Sequence, residues 1–203
     1  MPYLLRVELP DIPGSLGRVA TAIGEAGGDI EAIEIVEKRD DGTALDDVLL
    51  ETDPGTMPDS IVSACNALPG VRVVWISRYA AGGNLTLDLE AAEELTVEPA
   101  RALDRLVDLL PDTFRVDWGA RVHRAQGIVH ATGAAPDHLD FVDLDAPTRL
   151  EPPTPDDVTL FAACRLGGNE IVVVGRRGGP EFLDSELARL GFLAGLALTI
   201  HPV

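Results

Sequence analysis

The chain has 203 residues, 46% of them hydrophobic and 25% charged, which suits one large or two small globular domains. Its formal net charge of -18 is spread along the chain, with 14 acids against 6 bases over residues 1–83 and 20 against 10 over residues 84–203. There is no basic stripe to neutralise phosphates, which argues against a nucleic-acid partner and against docking on an anionic membrane; the charge reads as solubility and resistance to aggregation.

Leu4 to Leu9 alternates as a strand, with Leu5, Val7 and Leu9 on one face and Arg6 and Glu8 on the other. A helix follows, marked by Leu16, Val19, Ala20 and Ile23 at helical spacing. Asp11 suits its N-cap, Pro13 its first turn, and Gly27-Gly28 its end. Asp29 to Glu37 predicts a second strand, Asp40-Asp41-Gly42 a hairpin turn, and Ala44 to Thr52 a third strand with Val48 and Leu50 on one face. Asp59 to Leu68 predicts a short helix, with Ile61, Ala64, Cys65 and Leu68 inward. Pro69-Gly70 turns the chain into a fourth strand, Val71 to Ser77. Strand, helix, strand, strand, helix, strand is the ferredoxin-like split order, with both helices on one face of a four-stranded antiparallel sheet. Joining the edges of two such sheets in a dimer is one way to cover them.

Ala80-Ala81-Gly82-Gly83-Asn84 reads as a linker, and residues 85–98 as an acidic, partly helical segment. Pro99 opens a helix with Leu103, Leu106, Val107 and Leu110 inward. Phe114 to Val122 and Gly127 to Thr132 predict strands, and residues 133–157, broken by prolines, an irregular stretch with a short strand at Phe141-Val142. Val158 to Leu166 and Glu170 to Arg176 predict a hairpin around Gly167-Gly168-Asn169. Asp184 begins a last helix carrying Leu187, Leu190, Leu193, Ala194, Ala197 and Leu198. The expected domains are therefore 1–80, a connecting segment 81–98, and 99–203.

The N-terminal half resembles the ACT domain family. The resemblance rests on the join of an alternating strand to Asp11-Ile12-Pro13-Gly14-Ser15-Leu16, on the helix ending Gly27-Gly28-Asp29-Ile30, and on the six elements in order over residues 3 to about 80. It implies regulation: an amino acid or related metabolite held at a dimer interface, between the first loop of one copy and the start of the second strand of the other. On this chain those positions are Asp11, Ile12, Pro13, Gly14, Ser15 and Leu16, and Gly28, Asp29 and Ile30. A helix N-terminus offers unpaired N–H groups and a positive dipole end to a carboxylate, Gly14 admits a ligand to the backbone, and Asp11 and Asp29 suit an α-ammonium group. Asp11 reads equally as a helix cap and Asp29 as a turn residue. In serine-sensing members the positions of Asp11 and Asp29 are commonly Asn and that of Leu9 is commonly His, so the three residues here argue against serine.

The second half resembles a GAF domain, best over 158–200, where Glu170 to Phe182 and then Asp184-Ser185-Glu186-Leu187 give a strand, a glycine-rich loop, a Phe and a capped helix. Leu183 replaces the Thr or Ser usual after that Phe. Any pocket is expected between the sheet and residues 133–157. The fold class is thus α+β: a ferredoxin-like βαββαβ unit followed by a GAF-like antiparallel sheet with flanking helices.

Other chemistry is sparse. Cys65 and Cys164 are isolated and read as core residues. His123, His130 and His138 fit no compact zinc motif, and Asp137, Asp140, Asp143 and Asp145 lack the glycine and closing glutamate of a calcium loop. Asp40-Asp41 and Asp46-Asp47 read as wet hairpin acids. Arg176-Arg177-Gly178-Gly179 reads as a tight turn rather than an anion site, since it lacks a P-loop ending. Trp75 and Trp118 read as core or interface residues. No cofactor motif is present. One lysine, Lys38, against 15 arginines is the composition of a high-GC bacterial genome. The N-terminus runs straight into a strand pattern, with no signal-like region and no span-length apolar run, so a cytoplasmic location is expected. The expectation is a non-catalytic homodimeric sensor that relays to an effector protein. The alternatives are a metal-assisted enzyme using the 133–157 loop and a ligand-free interaction subunit.

Overall fold

The computed structural model describes residues 2–53, 55–78, 84–152 and 158–202. It falls into two compact units, Met1–Gly82 and Gly83–Val203.

In the first unit the elements are β1 (Pro2–Pro10), α1 (Ser15–Glu25), β2 (Gly28–Lys38), β3 (Thr43–Thr52), α2 (Pro58–Asn66) and β4 (Arg72–Arg78). The sheet order is β2-β3-β1-β4, antiparallel throughout, the predicted split arrangement. Its core forms on the helix side. Leu5, Val7 and Leu9 of β1 and Val48 and Leu50 of β3 pack against Val19 and Ile23 of α1 and Ile61 and Cys65 of α2. The period of two in the strands and the i, i+4 spacing in the helices place these side chains on facing surfaces. β2 is an edge strand of eleven residues.

The second unit contains α3 (Asn84–Val97), a 3-10 turn at Pro99–Arg101, α4 (Ala102–Phe114), β5 (Trp118–His123), β6 (Gly127–Ala131), β7 (Thr148–Leu150), β8 (Thr159–Arg165), β9 (Glu170–Arg177) and α5 (Asp184–Ile200). Its antiparallel sheet runs β6-β5-β9-β8-β7. One face carries Cys164, Val172 and Val174 and packs against Leu106 and Leu110 of α4 and Leu190 and Leu193 of α5. The other face carries Trp118, Phe161 and Val173 and is covered by Leu139 and Leu144 of the irregular stretch.

Several expectations need correction. The acidic stretch expected to be partly helical forms a full helix, α3, with Ala91 and Leu95 buried in the core of the second unit. Residues 80–83 and 153–157 lie outside the described residues. Phe114 ends α4, and Arg115 turns the chain at φ 51° before β5, so the strand starts four residues later than its apolar run suggested. Phe141-Val142 forms no strand; Thr148–Leu150 pairs with β8 instead.

Candidate functional site

The join of β1 to α1 is an open loop. Asp11, Ile12, Pro13 and Gly14 are exposed, with Ile12 at 59%. Gly14 is the N-cap residue, at φ 90°, and no side chain caps the helix. This corrects the assignment of Asp11 as cap. The Asp11 N–H instead donates to the Gly42 carbonyl at 2.9 Å, tying the loop to the β2–β3 turn, and its carboxylate accepts from Lys38 Nζ at 3.0 Å. The positive φ explains the glycine, and a Cβ there would meet open space. Ser15 is buried, with its Oγ accepting from Arg18, while Leu16 packs partly into the core. The first helical bond runs from Arg18 N–H to Gly14 O, so the Leu16 and Gly17 amides precede it at the positive end of the helix dipole.

The second set of residues lies elsewhere. Gly28 pairs with Thr52 and Lys38 with Ala44, so Asp29 and Lys38 occupy opposite ends of β2, roughly 30 Å apart at about 3.3 Å per residue. One copy therefore brings Asp11 to Leu16 together but leaves Gly28, Asp29 and Ile30 at the far end of the sheet. Gly28 is buried, and a Cβ on it would lie 2.7 Å from Ile23 Cγ2; its missing side chain serves packing within the unit. Asp29 is exposed opposite Glu51, and Ile30 is half-buried against the core.

Two residues were misread from sequence. Asp46 and Asp47 follow a hairpin, but they sit inside β3 at 2% and 3% exposure. They face opposite sides. Asp47 pairs with Arg6 and accepts from its Nε at 2.7 Å and from Nη2 at 2.8 Å, a bidentate pair. Asp46 stands opposite Val7 and Ile35 on the helix side, and its Oδ1 has no hydrogen-bond partner among the described residues. Burial holds its carboxyl above the ordinary carboxylate range, Asp11 and Asp47 add to this, and Lys38 opposes it. The signal was available: Val48 and Leu50 face the core, and stepping back by two reaches Asp46.

In the second unit a cavity of about 310 Å³ lies where the irregular stretch crosses the sheet, lined by Trp118 and Phe161 with Ala134, Pro136, Asp117 and Arg177. The Trp118 and Phe161 rings meet edge to face, 5.6 Å between centroids. Of the segment read as a tight turn, Arg176 and Arg177 end β9, and the chain bends only at Gly178, at φ 68°, and Gly179. Arg176 is buried and donates to Glu186 Oε1 at 2.6 Å and to the Phe114 carbonyl at 2.8 Å. The histidines are dispersed: His130 bonds Asp108 at 2.7 Å, His138 bonds Asp140 at 3.1 Å, and Asp143 pairs with Arg124. Among the described residues no three His, Cys, Asp or Glu side chains gather to hold a metal ion. Cys164 is buried, which pushes its thiol up to about 12.

Residues 3–59 match the ACT domain, the family that the β1–α1 join resembles. The chain is 36% identical over 74 residues to NAD-dependent malic enzyme 1 of Bacillus subtilis; this segment is 36% of the chain and 17% of that enzyme's length. Two solved GAF domains are similar in structure at low identity. One, from Acinetobacter phosphoenolpyruvate-protein phosphotransferase, is 13% identical with a TM-score of 0.46, covering 60% of this chain and 93% of that one. The other, from Pseudomonas syringae pv. tomato, is 17% identical with a TM-score of 0.43, covering 57% and 83%. Among the described residues no helix is long and apolar enough to cross a membrane.

Proposed function

We propose that this chain is a non-catalytic, cytoplasmic regulatory protein that senses an amino acid or related metabolite between the ACT units of two copies and relays occupancy to a partner protein. The observation that carries the reading is the split of the site. Asp11 to Leu16 form an open, dipole-bearing loop beside Lys38 at one end of β2, while Asp29 lies at the other end. β2 is an edge strand, and an antiparallel two-fold pairing of two copies of it, centred on Ile33, sets residue 28 against residue 38. The partner subunit's Asp29 then stands beside the 11–16 loop, and each dimer holds two complete sites. A ligand carboxylate is received by the amides ahead of the first helical bond. A ligand that completes this interface favours the dimer by its unequal affinity for the two states.

The test is a thermal melt of the full chain against each of the twenty amino acids, with sedimentation velocity on any that respond. A true ligand at a hundred times its Kd stabilises by about 2.7 kcal/mol and makes the melt depend on protein concentration. Silence across the whole set rules out the amino-acid version.

A further inference from the structure

The last helix of the second unit is apolar all round over most of its length. From Leu190 to Ile200 it carries no charged side chain, in a chain of which 25% is charged. Leu187, Leu190, Leu193, Ala194 and Ala197 form its buried side. The opposite side carries Ala188, Phe192, Gly195 and Thr199, all exposed, with Phe192 at 79%. A surface helix ordinarily turns charged residues outward; one that keeps an apolar outer face is a helix that something covers. Gly195 points the same way. Glycine is a poor helix former, and Gly191, one turn earlier, has a reason within the fold: a Cβ there would lie 2.7 Å from Pro147. A Cβ on Gly195 would meet nothing within 4 Å among the described residues. The helix is weakened at Gly195 for no contact of its own, which fits a backbone that another helix approaches closely.

Charge and spacing identify the occupant. The net charge of the chain is -18, so two copies repel wherever their acids meet, and a face free of charge is where one copy can lie on another. The steps along the face, from Ala188 to Phe192 to Gly195 to Thr199, are four, three and four residues, the same in either direction. A two-fold axis midway between Phe192 and Gly195 therefore lays two α5 helices antiparallel in matching register. Phe192 comes over the partner's Gly195, and Ala188 faces the partner's Thr199. The one large side chain on the face meets the one position that has none, and does so twice, which is the self-complementarity a two-fold contact demands. We propose that this face of α5 is a homotypic interface: a second copy of the chain docks on it through its own α5, antiparallel, with each Phe192 seated on the facing glycine. The contact belongs to the second unit, is separate from the β2 edge, and needs no ligand.

The test is sedimentation velocity of the ligand-free full chain over a range of concentrations, beside Phe192→Asp, which puts an acid on the knob. Met57→Asp is the control, the same change at a residue of the first unit that is 62% exposed. The expected result is self-association weakened at least tenfold in Phe192→Asp and less than threefold in Met57→Asp. The register is read separately with cysteines, since the chain's own Cys65 and Cys164 are buried. Under mild oxidation the double variant Ala188→Cys, Thr199→Cys should give a covalent dimer on a non-reducing gel, and each single variant should not. In a single variant the two like positions lie eleven residues apart along the helix pair, about 16 Å, too far for a disulfide. Unchanged association in Phe192→Asp overturns the interface and leaves the β2 pairing and the sensing reading standing. A single variant that cross-links as well as the double overturns the antiparallel register. A wild type that stays monomeric, with no cross-link in the double variant, overturns the interface outright. Should Phe192→Asp fail to fold by circular dichroism, the cysteine pair, which keeps Phe192, decides alone.

Discussion

Both units contain a glycine turn that feeds a helix, and the two entrances are built in opposite ways. At α5 the entrance is closed from within. The Leu183 N–H donates to Glu186 at 2.8 Å, Glu186 accepts from buried Arg176, and Arg176 lies over the Phe182 ring at 4.2 Å. Both Nη groups of Arg176 have partners in the chain, although its buried Nε has no hydrogen bond among the described residues. At α1 no side chain caps the helix, the loop is exposed, and the acid buried nearby lacks a hydrogen bond at Oδ1 among the described residues. A glycine-rich turn before a helix is thus no sign of a ligand by itself; what matters is whether the protein has already satisfied the groups that converge on it.

The comparison can be broken most severely at the closed entrance. Arg176→Ala leaves Glu186 buried without its cation and should cost about 3–5 kcal/mol, measured by urea unfolding. A loss under 1 kcal/mol would mean that this entrance is not held by the pair. Gly28→Ala comes next. Its new methyl meets Ile23 at 2.7 Å, and overpacking of this kind costs about 1–3 kcal/mol. An unaltered stability would return Gly28 to the set of residues kept small for a ligand. Gly14→Ala meets no atom within 4 Å but must hold φ 90°, so we expect a loss of about 1 kcal/mol from backbone strain alone.

The open entrance also makes a pH prediction. The Asp46 carboxyl titrates above its ordinary value because it is buried near Asp11 and Asp47. The folded protein therefore holds that proton more tightly than the unfolded chain. Its stability is greatest below the ordinary carboxylate range and falls as pH rises through the raised value. Asp46→Asn removes this fall, so the ligand-free variant should be the more stable protein at pH 7, with the two melting curves converging toward pH 3. Parallel curves would sink the assignment. The smallest effect is expected for Asp11→Asn. Its pair with Lys38 is exposed, at 61% for the lysine, and the change in stability should stay within about 0.5 kcal/mol.

Much of this was legible in the chain. The order of the first unit's elements, the inward residues of α4, the long hairpin and the last helix all follow from periodicity and turn residues, and the structure repeats them. The misses have physical causes. Asp11 carries the chemistry of a cap, but the helix begins four residues later, after Gly14 has taken a left-handed conformation that side-chain preference does not reveal. Asp46 and Asp47 look wet because they are charged and close to a turn; their burial depends on β3 lying in the interior of the sheet between β2 and β1, a long-range fact. Arg6, which makes Asp47 tolerable, is 41 residues away. The acidic stretch 85–98 reads as only partly helical, yet Ala91 and Leu95, one turn apart, fasten the whole of α3 to its unit.

Lys38 is the only lysine in the chain, and it is exposed beside the open loop. A reagent selective for amines thus has one side-chain target, and that target borders the proposed site. Acylating it would release Asp11 from its partner and add a second free acid next to Asp46. A fluorophore attached there would sit at the loop, report occupancy by its emission, and spare the experimenter the need to engineer a unique handle.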